Sequence, residues 1–359
     1  MARTRMKTTS HDIAREAGVS QSTVSRALRR DPRVDPATAD RVLQVAARLG
    51  YSPNLSARSL VTRRTRTIAV VVADITNPFY PQLVEALHEQ LGRAGYRMIL
   101  FNERTDARGD GGIEMFLSSG GADGAVFLSV TIDPVVSEML SRSPVPTVLL
   151  NRDADGPQVD RVMADHLGGA IMVADLLAGL GHTRLAFIAG PANTSTSRDR
   201  EAGFREQLKR HGLSLDSSLR RAGEFSHQSG FQWTSELMSL DDPPTAIFCA
   251  NDVVAFGALD AARRLRIDVP GQLSIVGFDD IPMAAWESFS LTTVRQPLTD
   301  MARDAARRLI ARIEGTDESE PSRVVFPTHL VQRATTARAP ENATRTQTRA
   351  RGTRPTRVS

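Results

Sequence analysis

Residues 11–28 read HDIAREAGVSQSTVSRAL and contain two short helical patterns separated by a glycine. Ser10 is expected to cap the first helix, in which apolar residues recur at helical spacing. Gly18 is expected to end this helix, because glycine readily adopts the left-handed conformation found at helix C-termini. Ser20 is then expected to cap a second helix over residues 21–28. The stretch therefore predicts two helices joined by a short turn.

The second helix has two chemically different faces. At about 100° per residue, Val24, Ala27 and Leu28 fall on one side of the helix. The other side carries only hydrogen-bonding side chains: Gln21, Ser22, Ser25, Arg26 and Arg29. A third helix is expected to begin with Asp35 as cap and Pro36 at its first position. Two helices joined by a glycine turn and braced by a third predict a helix-turn-helix.

The polar face of the second helix suits DNA recognition. In a helix-turn-helix, the N-terminal residues of the second helix reach base edges in the major groove. Gln21 and Arg26 fit that role, because Gln pairs with adenine and Arg with guanine in a bidentate way. Short or charged neighbours suit phosphates: Ser20, Ser22, Thr23, Ser25 and Arg29. A plain surface helix would show a similar face, so the prediction depends on the cap, the turn and the third helix occurring together.

The charge distribution supports a nucleic-acid-binding head. Residues 1–67 carry 14 Arg or Lys against 5 Asp or Glu, and residues 335–359 carry 6 against 1. The net charge of the whole chain is +4, so residues 68–334 carry −10. A basic head on an acidic body is typical of a phosphate-binding module fused to a domain with another role. A merely solvated basic terminus would show the same imbalance.

From Thr67 onward, apolar runs alternate with amphipathic stretches, which predicts parallel sheets built from β-α-β units. The candidate strands are residues 67–74, 96–102, 124–129, 147–150, 184–190, 245–250 and 273–279. Such sheets bind ligands at the carboxyl ends of their strands. The polar residues at those ends are Asp74, Asn151, Asn251, Asp252, Asp279 and Asp280. Asp and Asn there also cap helices, and Asp252 is interpreted as a cap.

Several classes of protein are disfavoured. No run approaches 18 apolar residues and residues 1–10 lack the apolar core of a signal peptide, so we expect a cytoplasmic protein without a membrane partner. The single Cys249 excludes an internal disulfide and a cysteine-built zinc site. The dinucleotide pattern GxGxxG does not follow the first strand, and no P-loop or nucleophile elbow occurs. We therefore expect neither an enzyme nor a cofactor. A secreted solute-binding protein would need a signal peptide where the DNA module stands.

Residues 11–28 and the stretch VDPATADRVLQVAARLGYSPNLSARSL at 34–60 closely resemble the lactose-repressor (LacI/GalR) family of bacterial regulators. Further family-like stretches are TRTIAVVVADITNPFYPQLVEAL, LGHTRLAFIAGP, PTAIFCANDVVAFGAL, LSIVGFDDIP and LTTVRQP. The resemblance covers about residues 9–334. It implies an all-α helix-turn-helix head and an α/β, two-lobed, periplasmic-binding-protein-like core. In that core the chain crosses three times between parallel sheets flanked by helices, and a small-molecule effector occupies the cleft between the lobes.

The resemblance also implies domain boundaries. The head would span residues 1–52, a hinge helix and linker 53–66, the effector-binding and dimerisation core 67–334, and a disordered Arg/Thr-rich tail 335–359. Within the core, the N-lobe would comprise about 67–163 and 297–324, and the C-lobe about 164–296 and 325–334. The tail lacks the leucine heptads by which some family members form tetramers, so we expect a homodimer.

By resemblance, specific residues contact double-stranded operator DNA. They are Thr9, Ser20, Gln21, Ser22, Thr23, Ser25, Arg26, Arg29, Asn54, Ala57 and Leu60. The hinge is too short to be a stable isolated helix; in the family it folds in the minor groove, where Leu60 would wedge between base steps. Packing of Leu60 on the core is the alternative. The family usually has Asn in place of Arg29 and an aliphatic residue in place of Ser10, so the operator sequence does not transfer.

A second set of residues is implied to contact the effector, a sugar or related metabolite. They are Phe79, Tyr80, Asn151, Arg200, Phe225, Asn251, Asp279 and Gln296. Arg200 matches the arginine that grips the effector, whereas Phe79 and Phe225 would either stack on a ring or belong to the core. Asn151 stands where some relatives have a carboxylate, so the identity of the effector does not transfer. The implied function is a repressor on a pseudo-palindrome; whether the effector releases or recruits it stays open.

Overall fold

The computed structural model of the chain describes residues 8–28, 31–51, 64–103, 112–156 and 158–341. It divides into two compact units, residues 1–65 and residues 66–359. None of the helices in these described ranges is both long and apolar enough to cross a membrane.

The first unit contains three helices: α1 (Ser10–Ala17), α2 (Gln21–Leu28) and α3 (Pro36–Arg48). The predicted turn is confirmed, since Gly18 is left-handed at φ 66° and the Ser20 hydroxyl accepts a hydrogen bond from the Thr23 amide at 3.1 Å. Asp35 caps α3 by accepting from the Thr38 amide at 3.1 Å. The three helices enclose a small apolar core: Ile13, Ala14, Ala17, Val24, Ala27, Val42, Val45 and Ala46.

The predicted cap of α1 was wrong by one residue. Thr9 is the cap, and Ser10 is the first helical residue. The reason is the carboxylate of Asp12, which lies three residues after Thr9 and accepts from the Thr9 amide at 3.0 Å. The Thr9 hydroxyl accepts in turn from the Asp12 amide, which completes a capping box. Ser10 has an isoleucine at the corresponding position and cannot form one.

The second unit is built from strands and helices that mostly alternate along the chain. The strands are β1 (Thr67–Val72), β2 (Arg97–Asn102), β3 (Gly124–Phe127), β4 (Thr147–Leu150), β5 (Asp160–Ala164), β6 (Leu185–Ala189), β7 (Arg220–Ala222), β8 (Ala246–Cys249), β9 (Ser274–Val276), β10 (Thr293–Arg295), β11 (Arg323–Phe326) and β12 (His329–Val331). The helices are α4 (Phe79–Arg93), α5 (Gly112–Ser118), α6 (Pro134–Ser141), α7 (His166–Gly179), α8 (Ser195–Arg210), α9 (His227–Met238), α10 (Asp252–Leu265) and α11 (Leu298–Glu314).

Ten of these strands form two parallel sheets, each of which is the centre of one lobe. The N-lobe sheet has six strands in the order β11-β5-β4-β3-β1-β2, and the C-lobe sheet has four in the order β7-β6-β8-β9. All neighbours within both sheets are parallel. The buried strands are almost wholly apolar, as expected where helices cover both faces of a sheet.

The chain passes between the two lobes three times. It leaves the N-lobe sheet after β5, forms the C-lobe sheet, and returns as α11, which packs on α4 and on β3, β4 and β5. After β11 it crosses again, and β12 pairs antiparallel with β10 beside the C-lobe sheet. The expected two-lobed α/β architecture with parallel sheets is confirmed.

The seven predicted strands all occur, with small differences at their ends. Five further strands were not predicted, namely β5, β7, β10, β11 and β12. Most of these are only three or four residues long, and β7 reads Arg-Arg-Ala, which is polar and partly exposed. Their pairing depends on neighbouring strands rather than on an apolar pattern of their own.

Arg66, the first residue of the second unit, contacts three residues of the N-lobe. Its amide donates to the Asp123 carboxylate at 2.9 Å, and its guanidinium lies 4.9 Å from the centre of the Tyr96 ring. The same guanidinium lies 3.7 Å from the Glu314 carboxylate at the end of α11. Three attachments therefore hold the residue that immediately precedes β1.

Candidate DNA-recognition surface and ligand cleft

The structure places a polar, solvent-exposed face on α2. Gln21, Ser22, Ser25 and Arg26 are exposed, whereas Val24 and Ala27 on the opposite side are completely buried. The two faces match the helical projection of the sequence. An exposed row of hydrogen-bonding groups on a short second helix is the arrangement that enters a DNA groove.

Several candidate DNA contacts already make local hydrogen bonds. The Gln21 side-chain amide donates to the Ser10 hydroxyl at 3.1 Å. The Ser20 hydroxyl lies 2.8 Å from both the Ser22 and the Thr23 hydroxyls. Thr9 and Ser20 therefore also have capping roles. Arg29, Asn54, Ala57 and Leu60 lie outside the described residues.

In the second unit, a cleft between the lobes brings together most of the predicted effector contacts. Its lining residues follow the carboxyl ends of strands from both sheets: Asn77, Phe79, Tyr80, Asn151, Arg152, Thr196, Arg200, Phe225, Asn251 and Asp279. Seven of the eight predicted residues are in this set. Gln296 is not, although it contacts one of the lining side chains.

Arg200 is the centre of the cleft's hydrogen-bond network. It is 3% exposed, and its guanidinium donates to the Asp279 carboxylate at 2.9 Å and to the Ala250 carbonyl. The centre of the Phe278 ring lies 3.8 Å from the guanidinium carbon, which adds a cation–π contact. Burial raises the pKa of Asp279, and the adjacent Arg200 opposes that shift.

Gln296 positions Asp279 rather than lining the cleft. Its side-chain amide donates to the same Asp279 oxygen that accepts from Arg200, at 2.7 Å. Asp279 also has a positive φ of 112°, a conformation that costs a non-glycine residue of order 1–3 kcal/mol. Backbone strain of this kind is typically retained at binding sites.

His166 joins the two sides of this network in its neutral form. Its Nε2 lies 3.2 Å from the Asn151 carbonyl, and its Nδ1 lies 3.3 Å from a nitrogen of Arg200. The two contacts require Nε2 to donate and Nδ1 to accept. Burial and the Arg200 charge lower the pKa of His166 well below its usual value, which is consistent with that tautomer.

Three buried polar atoms at the cleft have no hydrogen-bond partner within the described part of the chain. They are Nε of Arg200, Oδ1 of Asn151 and Oε1 of Gln296. Buried polar atoms of native proteins are rarely left unpaired. One donor and two acceptors therefore remain to be satisfied by water or by a ligand with both kinds of group, such as a molecule with several hydroxyls.

The structure assigns other roles to three carboxylates that follow strands. Asp252 is not the cap of α10; Asn251 is, by accepting from the Val254 amide at 3.0 Å. Asp252 is completely buried and accepts from the Thr293 hydroxyl at 2.5 Å and the Ile281 amide at 2.9 Å. Asp280 pairs with Arg295 and Arg333, and Asp74 accepts from Thr76; neither lines the cleft.

Four residues of the site were not predicted from the sequence. Asn77, Arg152 and Thr196 line the cleft, and His166 supports Arg200 and Asn151. Arg152 follows Asn151 directly and could have been found by examining two residues past β4 instead of one. His166 follows β5, which has no clear strand pattern, so no signal pointed to it.

Comparisons with known proteins identify relatives of both parts of the chain. Residues 9–54 match the profile of a family described as bacterial regulatory proteins, lacI family, and residues 174–336 match a periplasmic binding protein-like domain. The HTH-type transcriptional regulator DegA of Bacillus subtilis is 33% identical over 335 residues, which cover 92% of this chain and 99% of DegA.

Two solved structures extend the comparison to three dimensions. The transcriptional regulator CelR–cellobiose complex shares 33% identity at a TM-score of 0.70, covering 92% of this chain and all of CelR (100%). The lac repressor dimer bound to operator and the anti-inducer ONPF shares 26% identity at a TM-score of 0.81, covering 92% and 99% of the two chains. The similarity thus spans both units.

Proposed function

Because the chain belongs to the lacI family of bacterial regulatory proteins, and is thus a DNA-binding transcriptional regulator, we propose that it binds a pseudo-palindromic operator as a homodimer and represses transcription. A small-molecule effector in the cleft between the lobes controls that binding. The effector is a sugar or a closely related polyhydroxylated metabolite. No catalytic step enters this proposal.

The exposed face of α2 is the observation that supports the DNA-binding role. Gln21 and Arg26 are exposed on the same face, where they are free to enter a major groove. A homodimer would set two copies of α2 about one helical turn of DNA apart, as in the helix-turn-helix dimers of this class. The relative crystallised as a dimer on its operator supports the same arrangement.

The unsatisfied polar atoms of the cleft support the effector role. A hydroxylated ligand can accept from Nε of Arg200 and donate to Oδ1 of Asn151, both of which belong to cleft-lining residues. Phe79 and Phe225 line the same cleft and offer apolar surface to a sugar ring. The relative CelR was solved with cellobiose, which supports a carbohydrate as the class of effector.

Contacts between the lobes offer a route from the effector to DNA. The Asp153 amide of the N-lobe donates to the Ser195 hydroxyl of the C-lobe at 2.8 Å, and the Ile132 amide donates to the Asn193 carbonyl at 2.7 Å. An effector that changes these contacts changes the angle between the lobes. Since the proposed hinge helix within the segment 53–66 is marginal alone, its stability would follow that angle. DNA and effector are then reciprocally coupled, typically by about 1–3 kcal/mol.

Selection of bound sequences from random duplex DNA tests the DNA-binding half. The wild-type chain should enrich two inverted half-sites, and Arg26→Ala should lose about 1–3 kcal/mol of discrimination at one position of each half-site. Arg41→Ala on α3 is the matched control, because it also removes an exposed arginine from the first unit. Its selected site should be that of the wild type.

Two results would contradict the proposal. One is the absence of any inverted repeat among the selected sequences. The other is an Arg26→Ala protein that selects the wild-type site with unchanged preference at every position. The salt dependence of binding to the selected site gives an independent check, because phosphate contacts make the affinity fall steeply with salt.

A further inference from the structure

One arginine of the cleft carries a charge that no other described residue balances. Arg152 is 9% exposed and lines the cleft. Within the described ranges, its guanidinium forms no ion pair and donates no hydrogen bond; the guanidinium lies 5.5 Å from the centre of the Phe225 ring. Burial of an unpaired charge is costly, so native proteins nearly always pair such groups.

The other charges that line the cleft cancel each other. Arg200 is paired with Asp279 at 2.9 Å; the charge of Arg152 also acts to lower the pKa of Asp279, but Asp279 forms no ion pair with it. Asn151 is an uncharged amide, and the remaining polar lining residues are neutral. The lining of the cleft therefore has one positive charge in excess, and that charge is Arg152.

Glu103 is the carboxylate that comes closest to balancing Arg152. The charge of Arg152 opposes the rise in the pKa of Glu103 that burial causes, so the two groups sense each other. They do not form an ion pair, and the Glu103 carboxylate instead accepts from the Ser129 hydroxyl at 3.5 Å. Glu103 also does not line the cleft.

The first turn of α8 adds a second positive contribution. Thr194 is the cap of α8, but its hydroxyl donates to the Pro191 carbonyl and does not cap the helix amides. Thr196, in that first turn, lines the cleft beside Arg152 and Arg200. The N-terminus of a helix carries about half a positive charge and favours an anion.

We propose that the effector is an anionic polyol, in which Arg152 binds a phosphate or carboxylate group while Arg200 and Asn151 bind the hydroxyls. This inference rests on the proposed effector role of the cleft and specifies the chemical class of the ligand. Phosphate and carboxylate each present a pair of oxygens to which a guanidinium can donate two parallel hydrogen bonds. A neutral sugar would leave Arg152 buried and unpaired.

Thermal melting of the full chain with inorganic phosphate tests the anion site directly. At constant ionic strength, replacement of chloride by phosphate should raise the melting temperature of the wild type but not of Arg152→Gln. Arg142→Gln is the matched control, because Arg142 is the C-cap of α6 in the same lobe, with 77% of its side chain exposed. It should respond to phosphate as the wild type does.

Calorimetric titration then identifies the source of the anion. Glucose, glucose 6-phosphate and gluconate, together with ribose and ribose 5-phosphate, form matched neutral and anionic probes. At least one anionic member should bind about tenfold or more tightly than its neutral parent, and Arg152→Gln should remove that preference. Tighter binding of the sugar phosphates would identify the anionic group as a phosphate, and tighter binding of gluconate would identify it as a carboxylate. Arg152→Lys should keep part of the preference, since it keeps the charge.

The stability of the unliganded variant separates a binding role from a structural one. Loss of an unpaired buried charge should leave the melting temperature of Arg152→Gln equal to or above that of the wild type. A lower melting temperature would mean that Arg152 is needed for packing on Phe225, and would overturn the proposal. So would equal responses to phosphate and chloride in the wild type, or neutral sugars that bind as tightly as their anionic partners. The operator selection rests on other residues and decides the proposed function independently.

Discussion

The face of α2 and the cleft between the lobes are both candidate binding sites, but they are built in opposite ways. The α2 side chains are exposed and stand on a helix whose other face fills a small core. The cleft side chains are buried, and Arg200, Asp279, Gln296 and His166 hold one another in place. Residues of the first site should therefore affect binding without affecting folding, whereas residues of the second should affect both.

Arg200→Ala should show the largest effect. It leaves Asp279 buried and unpaired, which typically costs about 3–5 kcal/mol of folding stability. Urea unfolding of the full chain measures that loss, and effector binding should be lost as well. Arg303→Ala is the control, because Arg303 pairs with Asp300 on the exposed side of α11. Equal unfolding midpoints for Arg200→Ala and the control would contradict the distinction between the two sites.

Thr9→Ala should show an intermediate effect, confined to the first unit. Loss of the capping box typically costs about 1 kcal/mol, which amide exchange of the α1 residues can measure. Ser10→Ala removes the neighbouring hydroxyl, which the sequence favoured as the cap, and should cost clearly less. A larger loss for Ser10→Ala would reverse the assignment of the cap.

Acidification should show the smallest effect, in the second unit. Burial lowers the pKa of His166 well below 6.5, so the unfolded chain binds a proton that the folded chain does not. Stability therefore falls as the pH falls through 6.5, by roughly 0.4 kcal/mol between pH 6.5 and pH 6.0 for one such histidine.

The difference between wild type and His166→Gln isolates this contribution. Burial also lowers the pKa of His182 and raises that of Asp252, but those groups are present in both proteins. Arg200, Arg152 and Arg323 all disfavour the charged form of His166. Calorimetric melting at the two pH values should show a smaller drop for the variant; equal drops would mean that His166 is not the group responsible.

The two sites also differ in how far the sequence predicted them. The face of α2 follows from helical periodicity alone, since local spacing fixes which side chains are exposed. The lining of the cleft required residues from six separated segments, and strand-end positions and family resemblance located most of them. Arg152 stands one residue beyond the strand-end position that identified Asn151. His166 was missed because its importance depends on which side chains pack beside it, and no local pattern records that. Asp252 was misassigned for the same reason, since its partners Thr293 and Ile281 are distant in the sequence.

The attachment of Arg66 has a mechanical consequence. The contacts of Arg66 with Asp123, Tyr96 and Glu314 restrict the movement of the chain relative to the N-lobe at this residue. A displacement of this part of the N-lobe would therefore move the backbone of Arg66 with it. Substitution of Arg66 by glycine would remove the contacts with Tyr96 and Glu314. The chain would then be held less firmly at this point, and a change in the cleft would have less effect on the segment before it.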